Sequence, residues 1–311
     1  MSRQQFQNLC GRLTLPIVQA PMFLVSGPEM VIAAAQAGIL GSFPTQNART
    51  SEQLATWLDQ IVDGCQGKPW AVNLIVHPTF KRRDADLEQI LAHQPDLVIT
   101  ALGSPGHIVE AVHRAGSLVF ADVINPTFAR KAIDAGVDGL VLVCSGAGGH
   151  TGPLSPFAFV DAVREFWDGP IILGGGIASG RGINAATALG VDLAYLGTRF
   201  LASRESMVAD DYKQMVIDSG VDDIVCSDAI TGVNANWLRE SLTKAGFDPD
   251  NMPKKSEMNV SASVDAKRWK DIWAAGQSVG PVKSLQSVQE IVNELDRQYQ
   301  QSQSATASLA N

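Results

Sequence analysis

The sequence of 311 residues is low in charge and has no long apolar run. Charged residues make up 18% of the chain, and the net charge is −8 without any basic cluster. An acidic chain of this kind is a poor partner for nucleic acid or an anionic membrane surface, so we expect neither. No stretch reaches the roughly 18 consecutive apolar residues that a membrane-spanning helix needs.

Cysteine is scarce, and its four copies lie far apart at Cys10, Cys65, Cys144 and Cys226. Without a CxxC pair or a cysteine–histidine grouping, we predict neither disulfides nor a metal site. Cys144 lies beside a glycine-rich segment but lacks the signature of an activated nucleophile. Residues 1–8 are polar and lack the apolar segment of a secretion signal, so we predict a cytoplasmic protein with free thiols.

The sequence does contain a regular alternation of short apolar runs and helix-like stretches. The runs are continuous rather than alternating in polarity, which is typical of strands covered on both faces. They span residues 16–20, 39–42, 70–75, 96–100, 117–121, 139–143, 170–173 and 193–196. Eight such units predict a (β/α)8 barrel. An open doubly wound sheet is the alternative, but the first run ends in Gln19-Ala-Pro-Met22 rather than in GxGxxG.

The segments between the runs carry signals for helix ends. Ser26-Gly-Pro-Glu29 and Thr50-Ser-Glu-Gln53 have the pattern of a capping box. Asn125-Pro126 and Ser155-Pro156 each place a cap residue before a proline at the first helical position. The alanine–glycine pairs at 37–38, 115–116 and 135–136 indicate helix ends with glycine in the left-handed conformation.

The alternation of apolar runs and helix-like stretches ends after the eighth run. We interpret 207–269 as a small helical insertion over the barrel mouth and 270–300 as the return of the chain to a barrel formed by 1–206. The Ser/Ala/Gln-rich tail at 301–311 is expected to be disordered.

Two glycine-bearing loops follow the seventh and eighth strands. The first is Leu173-Gly-Gly-Gly-Ile-Ala-Ser-Gly-Arg-Gly182, and the second is Leu196-Gly-Thr-Arg-Phe200. Loops at these two positions form the usual phosphate site of a barrel enzyme, where glycines let backbone N–H groups approach an anion. We therefore predict a phosphate site at Gly174, Gly175, Gly176, Gly197 and Thr198. Two tight turns without a ligand are the alternative.

Three polar residues lie where the strands reach the barrel mouth. His150 stands in Ser145-Gly-Ala-Gly-Gly-His-Thr-Gly152 after the sixth strand, where barrel enzymes place catalytic groups. Asn73 falls in the apolar third strand, and Asp122 directly follows the fifth. Because buried polar groups need partners, we expect both to contact a ligand, with loop capping as the alternative.

Together these segments give the chain a resemblance to the nitronate monooxygenase family of FMN-dependent barrels. The matching segments are Gln-Ala-Pro-Met at 19–22, Ala-Gly-Gly-His-Thr-Gly at 147–152, Gly-Gly-Gly-Ile-Ala-Ser-Gly at 174–180, Gly-Thr-Arg-Phe at 197–200, Glu-Ser at 205–206 and Ala-Gly-Gln-Ser-Val-Gly at 275–280. They follow the family's order and span nearly the whole chain. The sequence departs from the family pattern at Gly146, where many members carry an acidic residue.

The resemblance implies FMN as the cofactor and a role for each matching residue. Ala20, Pro21 and Met22 would line one face of the flavin ring. Asn73 would contact the ring or the ribityl chain, and Gly148 and Gly149 would bring His150 to the reactive edge. The phosphate would lie at Gly174–Gly176, Gly197 and Thr198, while Gln277 and Gly280 would close the site.

The activity that the resemblance implies is oxidation of a small alkyl nitronate by O2. His150 would hold the anionic nitro group or take the α-proton of a nitroalkane, since imidazole usually titrates near neutral pH. Because the family also contains quinone and enoyl-thioester reductases and steroid-degradation enzymes, NAD(P)H-dependent reduction of a quinone or enone is an alternative. A flavin-free barrel that binds a phosphate ligand is another. Oligomeric state is left open.

Overall fold

The computed structural model describes residues 2–254 and 266–309, and its centre is a barrel of parallel strands. The strands of the described ranges are β1 Ile17–Gln19, β2 Gly41–Pro44, β3 Trp70–Ile75, β4 Leu97–Ala101, β5 Leu118–Val123, β6 Gly139–Val143, β7 Gly149–His150, β8 Ile171–Gly174, β9 Leu193–Leu196, β10 Ile224–Ser227 and β11 Ala235–Leu238. Eight of them pair in the order β1-β9-β8-β6-β5-β4-β3-β2, and a bridge between Val18 and Leu40 joins the two ends. The predicted barrel and all eight of its strands are confirmed.

Helices connect successive strands and cover the outside of the barrel. In the described ranges they are α1 Ser2–Cys10, α2 Pro28–Gln36, α3 Ser51–Cys65, α4 Arg83–His93, α5 Gly106–Arg114, α6 Pro126–Asp134, α7 Pro156–Arg164, α8 Gly180–Ala188, α9 Thr198–Leu201, α10 Asp210–Asp218, α11 Arg239–Lys244, α12 Ala266–Asp271 and α13 Val288–Leu309. Short 3-10 turns lie at Thr45–Asn47, Val221–Asp223 and Gln277–Val279. No helix among the described residues is long and apolar enough to cross a membrane.

Apolar side chains fill two layers of the barrel. The larger cluster lies between the strands and the surrounding helices, and the smaller one fills the barrel interior with Val18, Phe120 and Ile172 among its members. Helix α1 closes the bottom, because Phe6 packs against Phe120 with their ring centroids 5.3 Å apart. The opposite end, where the strands have their carboxyl termini, is the end at which barrels of this kind place their functional sites.

The helix-end signals are largely confirmed. Thr50, Asn125 and Ser155 each accept a hydrogen bond from a backbone N–H of the following helix. Gly38, Gly116 and Gly136 have φ values of 84°, 88° and 90°, which are typical of left-handed helix ends.

The capping box predicted at Ser26 is wrong. Helix α2 begins at Pro28 after Gly27, and the Ser26 hydroxyl instead accepts from the backbone N–H of Met22 at 2.8 Å. The serine therefore stabilises the loop that follows β1 rather than the helix.

The segment after the barrel contains more than the predicted helices. Strands β10 and β11 pair antiparallel, and β11 also pairs with β7, in the loop after β6. The sequence pattern did not indicate these four-residue strands, and the pairing of β11 with β7 joins Ala235 to His150 and Asn236 to Gly149, which lie far apart in the chain. Residues 255–265 of the predicted insertion lie outside the described residues.

The expectation of a disordered tail from Gln301 is wrong. Helix α13 continues to Leu309 and packs against α8 and α2. The Asn184 side-chain amide donates to Ser302 Oγ at 3.1 Å and to Thr306 Oγ1 at 3.3 Å. These contacts hold a polar segment that would have little reason to fold alone.

Candidate active site

The two predicted phosphate loops lie side by side at the carboxyl ends of β8 and β9. Gly174 pairs with Tyr195 across these strands. Gly175 and Gly176 then take left-handed φ values of 131° and 76°. A Cβ at Gly175 would lie 2.9 Å from the carbonyl oxygen of Ser145, whereas a Cβ at Gly176 would meet nothing within 4 Å. Gly176 therefore faces open space.

The backbone N–H groups of these loops are available to a ligand. Within the described part of the chain, the amides of Gly175, Gly176 and Thr198 donate to no protein acceptor. Thr198 opens α9, and Ser179 caps α8 by accepting from Gly182 N at 3.2 Å. Unpaired amides beside helix N-termini make a favourable environment for an anion.

The loop after β6 and the chain segment before α13 complete this mouth. Gly276 N donates to Thr198 Oγ1 at 2.8 Å, and Gln277 N donates to the carbonyl oxygen of Gly146 at 3.0 Å. A Cβ at Gly148 would lie 2.8 Å from Gly276 N. Because Gly148 and Gly276 have no side chains, the backbone of the loop after β6 can contact the backbone of the segment before α13.

Gln277 and Gly280 both lie on the short turn that follows this contact. The Gln277 side chain lies over Gly146, since a Cβ there would be 3.0 Å from Gln277 Oε1. Gly280 ends the turn and faces open space. The structure therefore brings both of these predicted residues to the mouth.

The predicted ring-contact residues Ala20, Pro21 and Met22 follow β1. Met22 Sδ would lie 3.4 Å from a Cβ at Gly197, so this loop adjoins the second phosphate loop. Asn47, which sequence reasoning missed, holds the loop in place. Its Nδ2 donates to the Met22 and Ser26 carbonyl oxygens at 2.9 and 2.7 Å, and its Oδ1 accepts from Leu24 N at 2.8 Å.

His150 lies on β7, where it pairs with Ala235 of β11. Its Nε2 is buried and has no hydrogen-bond partner among the residues that the structure describes. Burial lowers the pKa of the imidazole to about 4, because the charged form would lose its hydration. The expected titration near neutral pH is therefore wrong for this protein without ligand, and the ring is neutral at pH 7.

The barrel interior beneath the mouth carries three polar side chains. Asn73 lies within β3, and Asp122 lies within β5 rather than after it as predicted. Tyr195, which sequence reasoning did not single out, comes from β9, and its ring lies over Gly174. Within the described ranges, the buried Asp122 Oδ1 and Tyr195 hydroxyl have no hydrogen-bond partner, and the Asn73 side chain makes no hydrogen bond.

Burial also raises the pKa values of Asp122 and Tyr195. It raises the pKa of Asp122 from 3.8 to about 7. Burial, and after it the nearby Asp122 carboxyl, raise the pKa of Tyr195 well above 10. Cys144 is fully buried beside the mouth, and its pKa is raised to about 12, so it is not an activated thiol.

Fold and mouth together define a (β/α)8 barrel whose site, like that of enzymes with this fold, lies at the carboxyl ends of the strands. Comparison with known proteins then gives the family. A model described as nitronate monooxygenase matches residues 47–298, and the chain belongs to this family of oxidoreductases.

Individual relatives differ in their named activities. A nitronate monooxygenase from Paraburkholderia phytofirmans is 28% identical, and the match covers 95% of each chain. An indene-carboxyl-CoA dehydrogenase from Mycobacterium tuberculosis is 30% identical over 74% of this chain and 64% of its own. Among solved structures, FabK from Thermotoga maritima has a TM-score of 0.82 at 26% identity, with 98% of both chains covered. The comparisons therefore establish the family and leave the reaction to be proposed.

The Asp122 carboxyl gives a first prediction. Its pKa is raised on folding, so the stability associated with its neutral form is present near pH 4 and is lost as the pH rises towards 7. The loss is roughly 1.4 kcal/mol for each pH unit in that window. We expect Asp122→Asn to remove this part of the pH dependence and to raise the unfolding free energy of the ligand-free protein at pH 7.5, measured by urea unfolding.

A buried carboxylate with partners provides the control. Asp138 Oδ2 lies 2.8 Å from both Val119 N and His113 Nε2, so Asp138→Asn should lower stability at pH 7.5. If Asp122→Asn destabilised the protein equally across pH 5 to 8, the raised pKa would be contradicted.

Proposed function

We propose that the protein is an FMN-dependent oxidoreductase that oxidises alkyl nitronates with O2 to a carbonyl compound and nitrite. Family membership supports the reaction class. The observation that carries the proposal is the convergence of unpaired amides at Gly175, Gly176 and Thr198 with the buried, unpartnered Nε2 of His150. An anion bound at these amides would therefore lie at the same end of the barrel as His150.

The residues present fit FMN. Gly176 and Gly280 leave open space, and the N–H groups of the two loops suit a phosphate. Unpartnered polar atoms on Asp122 and Tyr195 suit the polar edge of an isoalloxazine ring or the ribityl hydroxyls. When bound, FMN would carry electrons between the nitronate and O2.

His150 positions the substrate in this proposal. Its imidazole is neutral at pH 7, so it holds the nitro group through a hydrogen bond from Nε2 rather than through a full charge. The neutral ring can also accept the α-proton of a nitroalkane, although a pKa near 4 makes it a weak base. The preferred substrate is accordingly the preformed nitronate.

A second candidate reaction is NAD(P)H-dependent reduction of a quinone or enone on the same barrel. The relative named as a dehydrogenase supports it, as does the neutral His150, because an imidazole N–H bonds a carbonyl oxygen as readily as a nitro group. The O2-dependent reaction is preferred because the relative matched over 95% of both chains is a nitronate monooxygenase.

Oxygen uptake tests the role of His150. With propionate-3-nitronate or ethylnitronate, the FMN-loaded protein should consume O2 and release nitrite. His150→Ala should lower kcat/KM about 100-fold, as expected for loss of a positioned polar group at the reacting centre. Retention of the flavin absorbance in the variant is the control, and wild-type uptake no faster than that of His150→Ala would refute the nitronate reaction.

Anaerobic mixing separates the two candidate reactions. If nitronate oxidation is the activity, a nitronate should bleach the flavin absorbance within seconds, whereas NADH or NADPH should leave it nearly unchanged. Bleaching by a nicotinamide at a comparable rate would instead establish the reductase. A purified protein that shows no flavin absorbance and binds no added FMN would point to a flavin-free barrel.

A matched pair of glycines tests the phosphate site. Gly176 and Gly190 both have left-handed φ values, 76° and 85°, and neither Cβ would meet an atom within 4 Å. Only Gly176 lies at the mouth, since Gly190 precedes β9 at the other end of the barrel. Alanine at either position should cost about 1–2 kcal/mol of stability through backbone strain.

FMN affinity should distinguish the two glycine variants. Gly176→Ala should weaken FMN binding at least tenfold in fluorescence titration, because the methyl group enters the space in front of the amides. Gly190→Ala should bind FMN like the wild type. Equal affinities in the two variants would place the phosphate elsewhere.

A further inference from the structure

Aromatic side chains from three separate segments gather in front of His150. We call Phe23, Trp237 and Trp269 the aromatic slot. The Trp269 ring centroid lies 5.3 Å from that of His150, 4.7 Å from that of Trp237 and 6.4 Å from that of Phe23. The His150 and Phe23 rings stand nearly at right angles to it, at 86° and 89°. Trp269 therefore contacts both His150 and Phe23, which lie on different loops.

The backbone register explains why these rings meet. His150 pairs with Ala235, so His150 and Trp237 lie on the same face of the sheet formed by β7 and β11. Trp269 packs on that face, and its ring edge would lie 3.5 Å from a Cβ at Gly149. Phe23 directly follows the Ala20–Met22 loop. The aromatic slot thus extends from the residues proposed to contact the flavin ring to the residue proposed to hold the substrate.

The surroundings of His150 are apolar as well as aromatic. Trp237 is fully buried, whereas Phe23 and Trp269 are half-buried and keep part of their apolar surface accessible. Burial alone accounts for the lowered pKa of His150, and no charged side chain among the described residues contributes to it.

We propose that the aromatic slot selects substrates by an apolar chain attached to the reacting group, so that long-chain alkyl nitronates are preferred to nitronates that carry a carboxylate. The proposal rests on the proposed function and gives its substrate class. Each methylene that leaves water for an apolar surface strengthens binding severalfold, whereas a carboxylate placed against the same aromatic rings loses part of its hydration.

Binding of non-reacting analogues tests the aromatic slot without turnover. A carboxylate is planar and singly charged like a nitronate, so hexanoate stands for an alkyl nitronate and succinate for propionate-3-nitronate. Binding of each analogue to the FMN-loaded protein is followed by the change in flavin absorbance. The dissociation constant of hexanoate should be at least tenfold lower than that of succinate. Trp269→Ala should reduce this ratio about tenfold, and Trp269→Phe should largely preserve it.

Two further variants keep the test decisive. Phe23→Ala removes the other half-buried ring and should lower the same ratio even if Trp269→Ala proves unstable. Trp273→Ala is the control, because Trp273 stacks on Tyr212 at 4.9 Å and makes no ring contact with His150, so the ratio should not change. Equal binding of hexanoate and succinate in the wild type, or an unchanged ratio in both slot variants, would overturn the proposal.

Turnover separates this proposal from the proposed function. The nitronate of 1-nitrohexane should give a higher kcat/KM than propionate-3-nitronate, with the same dependence on Trp269. If neither nitronate is oxidised but the hexanoate preference still depends on Trp269, the proposed function fails and the aromatic slot stands.

Discussion

Gly148 and Gly276 lie so close together that a methyl group on either would collide with the backbone of the other segment. This contact brings the loop after β6 against the chain that leads into α13, and Thr198 Oγ1 accepts from Gly276 N at the same point. Because His150 follows Gly148 by two residues, its position relative to the glycine loops after β8 and β9 is set by this backbone packing. The local geometry therefore depends on residues that have no side chain to contribute.

The second feature of the site is a set of polar groups that are buried without hydrogen-bond partners among the described residues. His150 Nε2, Asp122 Oδ1 and the Tyr195 hydroxyl are all in this state, although unpaired buried groups normally cost the folded protein stability. The tightly packed barrel around them makes that cost tolerable, since its core is formed by apolar clusters on both sides of the strands. A flat ligand with donors and acceptors along its edges would satisfy these groups together, which is why their unpaired state supports a binding role.

The barrel could be predicted from sequence because its signals are local. A strand covered on both faces must be apolar throughout, and a loop that approaches an anion needs glycine, so each pattern is visible in a few residues. The sequence predicts the glycine loops in this way, and it predicts Asn73, Asp122 and His150 from their places near the ends of strands. The structure brings all of them to one end of the barrel. Their roles towards a cofactor stay predictions.

Other parts of the site have no local signal. The pairing of β11 with β7 joins Asn236 to Gly149, and such a contact between distant segments leaves no periodicity in the sequence. Asn47 is one polar residue in a short turn, and Tyr195 is one residue of an apolar strand. Trp269 also reads as an ordinary helix residue until the fold places it against His150. Residues that act through contacts formed only on folding are therefore the ones that sequence reasoning misses.

The two ways in which the segment after the barrel contacts His150 have different consequences for substrate choice. β11 is bound to the loop through its backbone pairing, and Asn236 Nδ2 also donates to the Ala147 carbonyl oxygen at 2.7 Å, so a change there would displace the imidazole itself. Trp269 contacts His150 with its ring, edge to face, at 5.3 Å between the ring centroids. A substitution at Trp269 can therefore alter the surface offered to a substrate chain while the backbone that positions His150 stays in place. In the proposed function, the part of the site that would hold the reacting group is therefore separate from the part that would select the attached chain.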